Sequence, residues 1–229
     1  MRLGTTRWLL VGLLCLGLWP MVAVSAQETR WDSIMAGAAK AYQQADYAQA
    51  EKLLLAALQE AEKFGEQDPR FAASLNNLAE LYNAQGKYAQ AEPLYQRALA
   101  IAEKALGPEH PDVAIGLNNL ASLYRAQGKY AQAGPLYRRA LAIDEKALGP
   151  EHPSLATDLN NLAELYRAQG KYAQAEPLYQ RALAIWEKAL GPEHPQVATV
   201  LENYAALLHK LNRDAEADKM EARAQAIRA

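Results

Sequence analysis

The sequence predicts an all-α protein built from antiparallel helix pairs, and three observations carry that prediction. The chain is nearly identical to itself at an offset of 42 residues over three successive units. Each unit contains two stretches of apolar residues at helical spacing. A glycine turn separates the two stretches, and a proline-rich loop ends the unit.

The first 26 residues have the pattern of a secretory signal peptide. Arg2 and Arg7 provide the positive start, and an apolar run follows up to Val24. Val24-Ser25-Ala26 places small residues at the −3 and −1 positions, so we expect cleavage after Ala26 and a mature repeat array over residues 27–229. The alternative is an uncleaved membrane anchor. The run is short for a span of about 20 residues, and a proline interrupts it.

Export has consequences for partners and location. We expect a bacterial protein in the periplasm or outside the cell, with no membrane insertion after cleavage. Loss of Arg2 and Arg7 would leave 22 basic residues against 26 acidic ones. Because nucleic-acid binding normally requires a basic surplus, we do not expect a nucleic-acid partner.

Residues 72–113 form the first complete unit and show how its two helices arise. The first helix presents one apolar stripe at i, i+3, i+4 and i+7, formed by Leu75, Leu78, Ala79 and Tyr82. Gly86 is placed to end this helix. The second helix carries a stripe formed by Tyr88, Ala91, Tyr95, Ala98 and Ile101. It stops at the loop of residues 106–111, where two prolines and a glycine prevent continuation.

The same unit recurs along the rest of the mature chain. Residues 114–155 and 156–197 are two further complete copies, and residues 31–71 form a degenerate first unit. In the last unit, residues 198–229, Asp214 and Glu221 stand where the first complete unit has Tyr88 and Tyr95. A repeat array needs a polar outer face on its terminal helix, so we interpret this unit as the cap. The array therefore predicts ten helices in five antiparallel pairs.

The small and aromatic positions of these units resemble the tetratricopeptide repeat. The residues that carry the resemblance in the first complete unit are Leu75, Leu78, Ala79, Tyr82, Tyr88, Ala91, Tyr95 and Ala98. The 42-residue period is similar to the repeats of kinesin light chains and their bacterial relatives. The resemblance implies a right-handed α-solenoid of antiparallel helix pairs, with a concave groove that binds a protein or peptide.

No catalytic or metal-binding constellation is visible in the mature sequence, so we expect no enzyme activity, no cofactor and no metal. It has no cysteine, no GxSxG, no HExxH and no phosphate-binding glycine loop. His110, His152 and His194 recur in the loops, but helices about 10 Å wide would keep them from sharing one ion. We interpret the charges late in the second helices, including Asp144 and Glu145, as solvated.

Paired asparagines in the first helices are the candidate binding residues. Asparagine is a mediocre helix former and the core does not require it, so we expect a ladder that holds the backbone of an extended peptide. The alternative is a neutral residue copied by duplication, hydrogen-bonded to the neighbouring repeat. Two arginines beside the ladder would favour an acidic or carboxylate-bearing segment. The candidate residues are Asn76, Asn77, Asn118, Asn119, Asn160, Asn161, Asn203, Arg125 and Arg167.

The three complete units differ mainly at positions that the resemblance places in the groove. Residues 73, 115 and 157 are Ala, Ile and Thr; residues 80, 122 and 164 are Glu, Ser and Glu; residues 83, 125 and 167 are Asn, Arg and Arg. Varied positions on a constant scaffold are typical of a binding surface, and equally of drift at exposed sites. The two-carboxylate clamp of chaperone-binding tetratricopeptide domains is not reproduced, because Asn76 and Glu80 occupy its lysine and asparagine positions.

The leading hypothesis is therefore an exported module that binds a protein or peptide segment. The alternative is a scaffold of the cell envelope in which the array associates with copies of itself. Light scattering on the mature protein separates the two hypotheses, since a binding module can remain monomeric on its own.

Export and cleavage after Ala26 form the first testable prediction. Protein recovered from cells should begin at Gln27, because the small residues before that bond suit signal peptidase. N-terminal sequencing of the secreted or periplasmic fraction provides the measurement. Recovery of a chain that still begins with Met1 would rule out cleavage.

Overall fold

The computed structural model describes residues 26–229, so the predicted signal peptide lies outside the described residues apart from Ala26. These residues form ten α-helices and no strand, which confirms the all-α repeat class. The helices are α1 (Ala26–Gln43), α2 (Tyr47–Glu62), α3 (Pro69–Ala84), α4 (Tyr88–Leu106), α5 (Pro111–Ala126), α6 (Tyr130–Leu148), α7 (Pro153–Ala168), α8 (Tyr172–Leu190), α9 (Pro195–Lys210) and α10 (Asp214–Arg228).

The described chain divides into two compact units, residues 26–101 and residues 102–229. In the N-terminal unit, α1 packs on α2 and α2 on α3. In the C-terminal unit, the pairs α5–α6, α7–α8 and α9–α10 pack closely, and α6 and α8 each contact the first helix of the next pair. Each repeat therefore buries its apolar faces against its neighbour, as expected of a solenoid.

The core of the C-terminal unit combines alanines with tyrosines. Ala163 of α7 and Ala175 of α8 are fully buried, which lets the two backbones approach closely. Tyr179 of α8 fills the adjacent space and stacks on Tyr204 of α9, with ring centroids 5.9 Å apart. The predicted stripe positions are thus the positions that build the core.

The tight turn within each repeat requires a left-handed residue. Gly86, Gly128 and Gly170 have φ of 72° to 73° there, as the sequence predicts. The degenerate first and last units place Ala45 (φ 58°) and Asn212 (φ 57°) at the equivalent positions. Asn tolerates this conformation better than Ala does, so the turn of the first unit carries more strain.

The loop histidines are helix caps. The Nδ1 atoms of His110, His152 and His194 each accept the backbone N–H two residues ahead, at 3.2 Å. Asp68 does the same for α3 with its carboxylate. A neutral imidazole can accept this bond as a carboxylate does, so the recurrence of histidine has a structural cause that the sequence analysis did not identify.

Substitution at His152 tests the cap. This side chain is exposed, so His152→Ala removes the cap with little loss of packing and should lower the free energy of unfolding by about 1 kcal/mol. His152→Asp should retain most of the stability, because Asp68 performs the same task in this chain. Urea denaturation measures both variants. Equal stability of His152→Ala and the wild type would show that the cap contributes nothing.

Two carboxyl groups lie buried together between neighbouring repeats. Asp144 of α6 is 4% exposed and Asp158 of α7 is 1% exposed, and each carboxyl lies close enough to alter the pKa of the other. Two neighbouring buried carboxylates repel each other, so their environment favours a proton on one of them. The amide of Asn118 donates to Oδ1 of Asp158, while Oδ2 of Asp158 and Oδ1 of Asp144 have no hydrogen-bond partner. The expectation that Asp144 is solvated is therefore wrong, because the next repeat covers it.

The pair is specific to one interface. The equivalent residues at the following interface are Trp186 and Val200, both in the apolar core. The two side chains are both acidic at the first interface and both apolar at the second. We therefore treat Asp144 and Asp158 as one pair. Burial and the neighbouring Asp144 raise the pKa of Asp158 to about 8. Burial is also the main cause that raises the pKa of Asp144. The nearby Asp112 raises this pKa further, whereas His152 lowers it.

The raised pKa of Asp158 makes stability depend on pH. Asp158 keeps its proton in the folded chain up to about pH 8, whereas in the unfolded chain it loses it near its usual pKa of about 3.9. The free energy of unfolding should therefore fall as pH rises between these limits, by at most about 1.4 kcal/mol per pH unit.

Asp158→Asn isolates this effect, because its amide has nearly the same shape as the carboxyl group and does not titrate. The stability of this variant relative to the wild type should increase steadily from pH 5 to pH 8. Urea denaturation at several pH values measures the difference. A constant difference across that range would contradict the raised pKa of Asp158.

Candidate binding face

The first helices of the C-terminal unit form one continuous surface, since α5 contacts α7 and α7 contacts α9. One helical stripe on each of them remains at least partly exposed. We call this surface the first-helix face, and its central residues are Ile115, Asn119, Thr157, Asn161, Thr199 and Asn203. The face thus contains one asparagine of each predicted pair in this unit.

The other asparagine of each pair is turned toward the next repeat. Asn118 donates to Asp158, and Asn160 accepts from the amide of Asn203 at 3.0 Å. Asn160 is only 8% exposed. For Asn118 and Asn160 the structure therefore supports the alternative explanation, in which these residues join successive repeats.

Asn161 differs from Asn118 and Asn160. Its side chain is partly exposed on the first-helix face, and it makes no side-chain hydrogen bond within residues 26–229. In the N-terminal unit, Asn77 of α3 is partly exposed in the same way and likewise makes no side-chain hydrogen bond within the described chain. Both amides are therefore available to an outside partner. Asn76 and Asn119 have interactions within the protein.

Arg125 and Arg167 converge on Glu164 of α7. Arg167 holds both carboxylate oxygens at 2.9 Å, and Nη1 of Arg125 lies 3.6 Å from one of them. The hydroxyl of Tyr179 also donates to Glu164. Burial by itself would raise the pKa of Glu164, but Arg167, Tyr179 and Arg125 together lower it below its usual value. The cluster thus has one net positive charge.

Both arginine side chains remain partly accessible, with 33% of Arg125 and 28% of Arg167 exposed. The sequence correctly grouped these residues with the varied positions of the first helices. The sequence did not reveal that both arginines pair with Glu164, a carboxylate of the same protein. The spacing of three residues between Glu164 and Arg167 is the signal that could have shown it.

Glu80 of α3 is the N-terminal counterpart of Glu164, in different surroundings. It is followed three residues later by Asn83 rather than by an arginine. Tyr42 and Tyr95 lie close enough for the charge of Glu80 to raise the pKa of both hydroxyls, after the larger effect of burial. Burial raises the pKa of Glu80 itself to about 7, and its Oε1 atom has no hydrogen-bond partner.

A separate group of polar side chains lies on the terminal pair. His209, Asp218 and Glu221 could offer three ligand atoms within 4.8 Å of one another. Both nitrogens of His209 are already occupied by carboxylates, Nδ1 by Asp214 at 2.7 Å and Nε2 by Glu221 at 3.2 Å. These contacts with carboxylates account for the cluster, and the hydrogen bond with Asp214 is the chief cause that raises the pKa of His209.

No helix between Ala26 and Arg228 has both the length and the hydropathy required to cross a bilayer.

Comparison with known proteins identifies related sequences and folds. The family model described as tetratricopeptide repeat matches residues 34–104, 70–146, 112–183 and 158–229. No curated protein matches the chain significantly. Among solved structures, BtubC (BKLC) from P. vanneervenii is 25% identical with a TM-score of 0.70, over 89% of this chain and 91% of that one.

A candidate kinesin light chain from Podosopora anserina, with nearly identical TPR-like repeats, is also similar. It is 30% identical with a TM-score of 0.70, and the match covers 88% of this chain and 96% of that one. A variant of the same protein gives 30% identity and a TM-score of 0.71, over 88% and 95% of the two chains.

Proposed function

Because the chain belongs to the tetratricopeptide repeat family, we propose that it is an exported interaction module whose first-helix face binds an extended segment of another protein. The repeats themselves imply a protein–protein interaction scaffold, and such repeat proteins are generally not enzymes. Export rests on the signal-like sequence before Gln27. The ligand and the mode of binding rest on the side chains of the face.

The exposed amide of Asn161 is the observation that carries the proposed binding mode. It lies in the middle of a helix, and no hydrogen bond within the described chain accounts for it. Its amide offers one acceptor and two donors, which suits the N–H and C=O groups of an extended backbone. We place Asn119, Asn161 and Asn203 in this contact set, one in each repeat of the C-terminal unit, and assign Asn77 the same role on the N-terminal unit.

Asn76, Asn118 and Asn160 play a secondary part in this proposal. Asn118 and Asn160 bond to the following repeat and so fix the spacing at which the next asparagine is presented. Asn203 belongs to both groups, because its amide donates to Asn160 while its side chain stays partly exposed.

Arg125 and Arg167 would give the face its preference for acidic segments. Their shared partner Glu164 neutralises only one of the two charges. A ligand carboxylate could then bind the remaining donors without displacing Glu164. This predicts a moderate preference for acidic residues, weaker than two unpaired arginines would provide.

Self-association is less well supported by the surface. Within the described chain, Leu55 is the one large hydrophobic side chain that is exposed, at 43%. Stable interfaces between copies usually bury a substantial apolar patch. The described surface therefore favours the binding module over a self-associating scaffold.

Paired substitution of Asn119 and Asn161 tests the ladder. A peptide selected from a phage-displayed random library on the mature protein serves as the probe. Each bond should contribute about 0.5–1.5 kcal/mol, so Asn161→Ala should weaken binding several-fold and the double change about tenfold or more. Fluorescence anisotropy measures the affinity, with circular dichroism to verify the fold.

Gln132→Ala with Gln174→Ala provides the matched control, because both glutamines are exposed on second helices. This control should bind like the wild type. Unchanged affinity in the folded asparagine variant would assign those residues to repeat packing alone. Failure to select any peptide would refute the module itself.

A further inference from the structure

Glu80 and Glu164 occupy the same position in two repeats, 84 residues apart, yet only one of them has its charge balanced. Glu164 is held by an arginine three residues later and by the arginine at the equivalent place in the preceding repeat. For Glu80, those two places are filled by Asn83 and, allowing for the shorter first repeat, by Tyr42. The tyrosine of the second helix is present in both repeats, as Tyr95 in the repeat of Glu80 and as Tyr179 in the repeat of Glu164.

The result is a mostly buried carboxyl group without a cation. Burial is the cause of its altered titration, and no basic residue within the described chain offsets it. One oxygen, Oε1, is buried and accepts no hydrogen bond. An ionised carboxylate in such a place is costly, and the cost disappears when a cation covers it.

The surroundings of Glu80 suit an organic cation from solvent. Glu80 is itself partly exposed, although its Oε1 atom is enclosed, so a ligand approaches the carboxyl group from the accessible side of the side chain. Tyr42 is partly exposed as well, and its ring lies 5.6 Å from that of Tyr47. Aromatic rings beside a carboxylate favour the ammonium or guanidinium group of a lysine or arginine side chain. A single carboxylate offers too few ligands for a bound metal ion.

We propose that Glu80 forms a subsite on the N-terminal unit for a lysine or arginine side chain of a bound protein segment. This inference rests on the proposed peptide-binding function and adds a ligand requirement to it. The cation of the ligand balances the charge of Glu80, as Arg125 and Arg167 balance that of Glu164. The N-terminal unit therefore selects a basic residue, in contrast to the acidic preference proposed for Arg125 and Arg167.

The test compares peptide selection on four proteins with the same phage-displayed random library. Wild-type protein should enrich lysine or arginine at one peptide position. Glu80→Gln keeps the shape and removes the charge, so this preference should be lost. Asn83→Arg reproduces the internal pairing seen at Glu164 and should also abolish it. Glu62→Gln, which removes an exposed carboxylate of α2 away from the proposed site, is the control and should retain the basic preference.

Titration of one selected peptide makes the comparison quantitative. Replacing its basic residue by norleucine should weaken binding to the wild type about tenfold, because a charged hydrogen bond is lost, and tenfold corresponds to about 1.4 kcal/mol. The same replacement should change the affinity for Glu80→Gln less than about twofold. Asn83→Arg should also be more stable to urea than the wild type, since it neutralises a buried carboxylate.

The outcomes separate this inference from the proposed function. Peptides selected without any basic preference would overturn the subsite and leave the binding module intact. A basic preference that survives in Glu80→Gln would place the recognition elsewhere and would also overturn the subsite. If no peptide is selected at all, both the module and the subsite are refuted.

Discussion

Close approach of neighbouring helices is the constraint on which this structure depends. Buried alanines such as Ala79, Ala163 and Ala205 recur where helices cross, and each is fully enclosed. Without bulky side chains at these crossings, the helices pack tightly and the tyrosines fill the spaces that remain. Because the same crossings recur every 42 residues, the register of each first helix is fixed relative to the next. The polar residues of the first-helix face keep a regular spacing for this reason.

Fixed register also means that a change on one side of a repeat interface must be matched on the other. The pair Asp144 and Asp158 shows this, since either carboxyl alone would be buried without its partner. At the next interface Trp186 packs against an apolar neighbourhood that contains Val200, but its indole N–H is buried without an acceptor. Near-identical repeats thus differ in how well their interfaces satisfy polar groups. Such differences would give the interfaces unequal stability.

The sequence was sufficient to predict the fold, because helical periodicity, turn glycines and loop prolines repeat three times with little change. It predicted the ten helices for the same reason. It failed where a residue's role depends on another repeat: Asp144 was assigned to solvent, and Glu164 was not recognised as the partner of Arg125 and Arg167. Periodicity shows which face of a helix a residue occupies. It does not show what the neighbouring repeat places opposite, which needs the relative positions of helices 40 or so residues apart.

Comparison of equivalent carboxylates shows how a repeat protein can divide stability from recognition. Glu164 contributes to the fold, because Arg167 and Tyr179 satisfy it and an outside ligand gains little by replacing them. Glu80 is left with an unsatisfied oxygen, so the folded chain bears a cost that a bound cation would relieve. Two differences distinguish these situations, because Asn83 and Tyr42 stand where Glu164 has Arg167 and Arg125. Duplication supplies the scaffold, and substitutions at the varied positions then decide which repeats balance their charges internally.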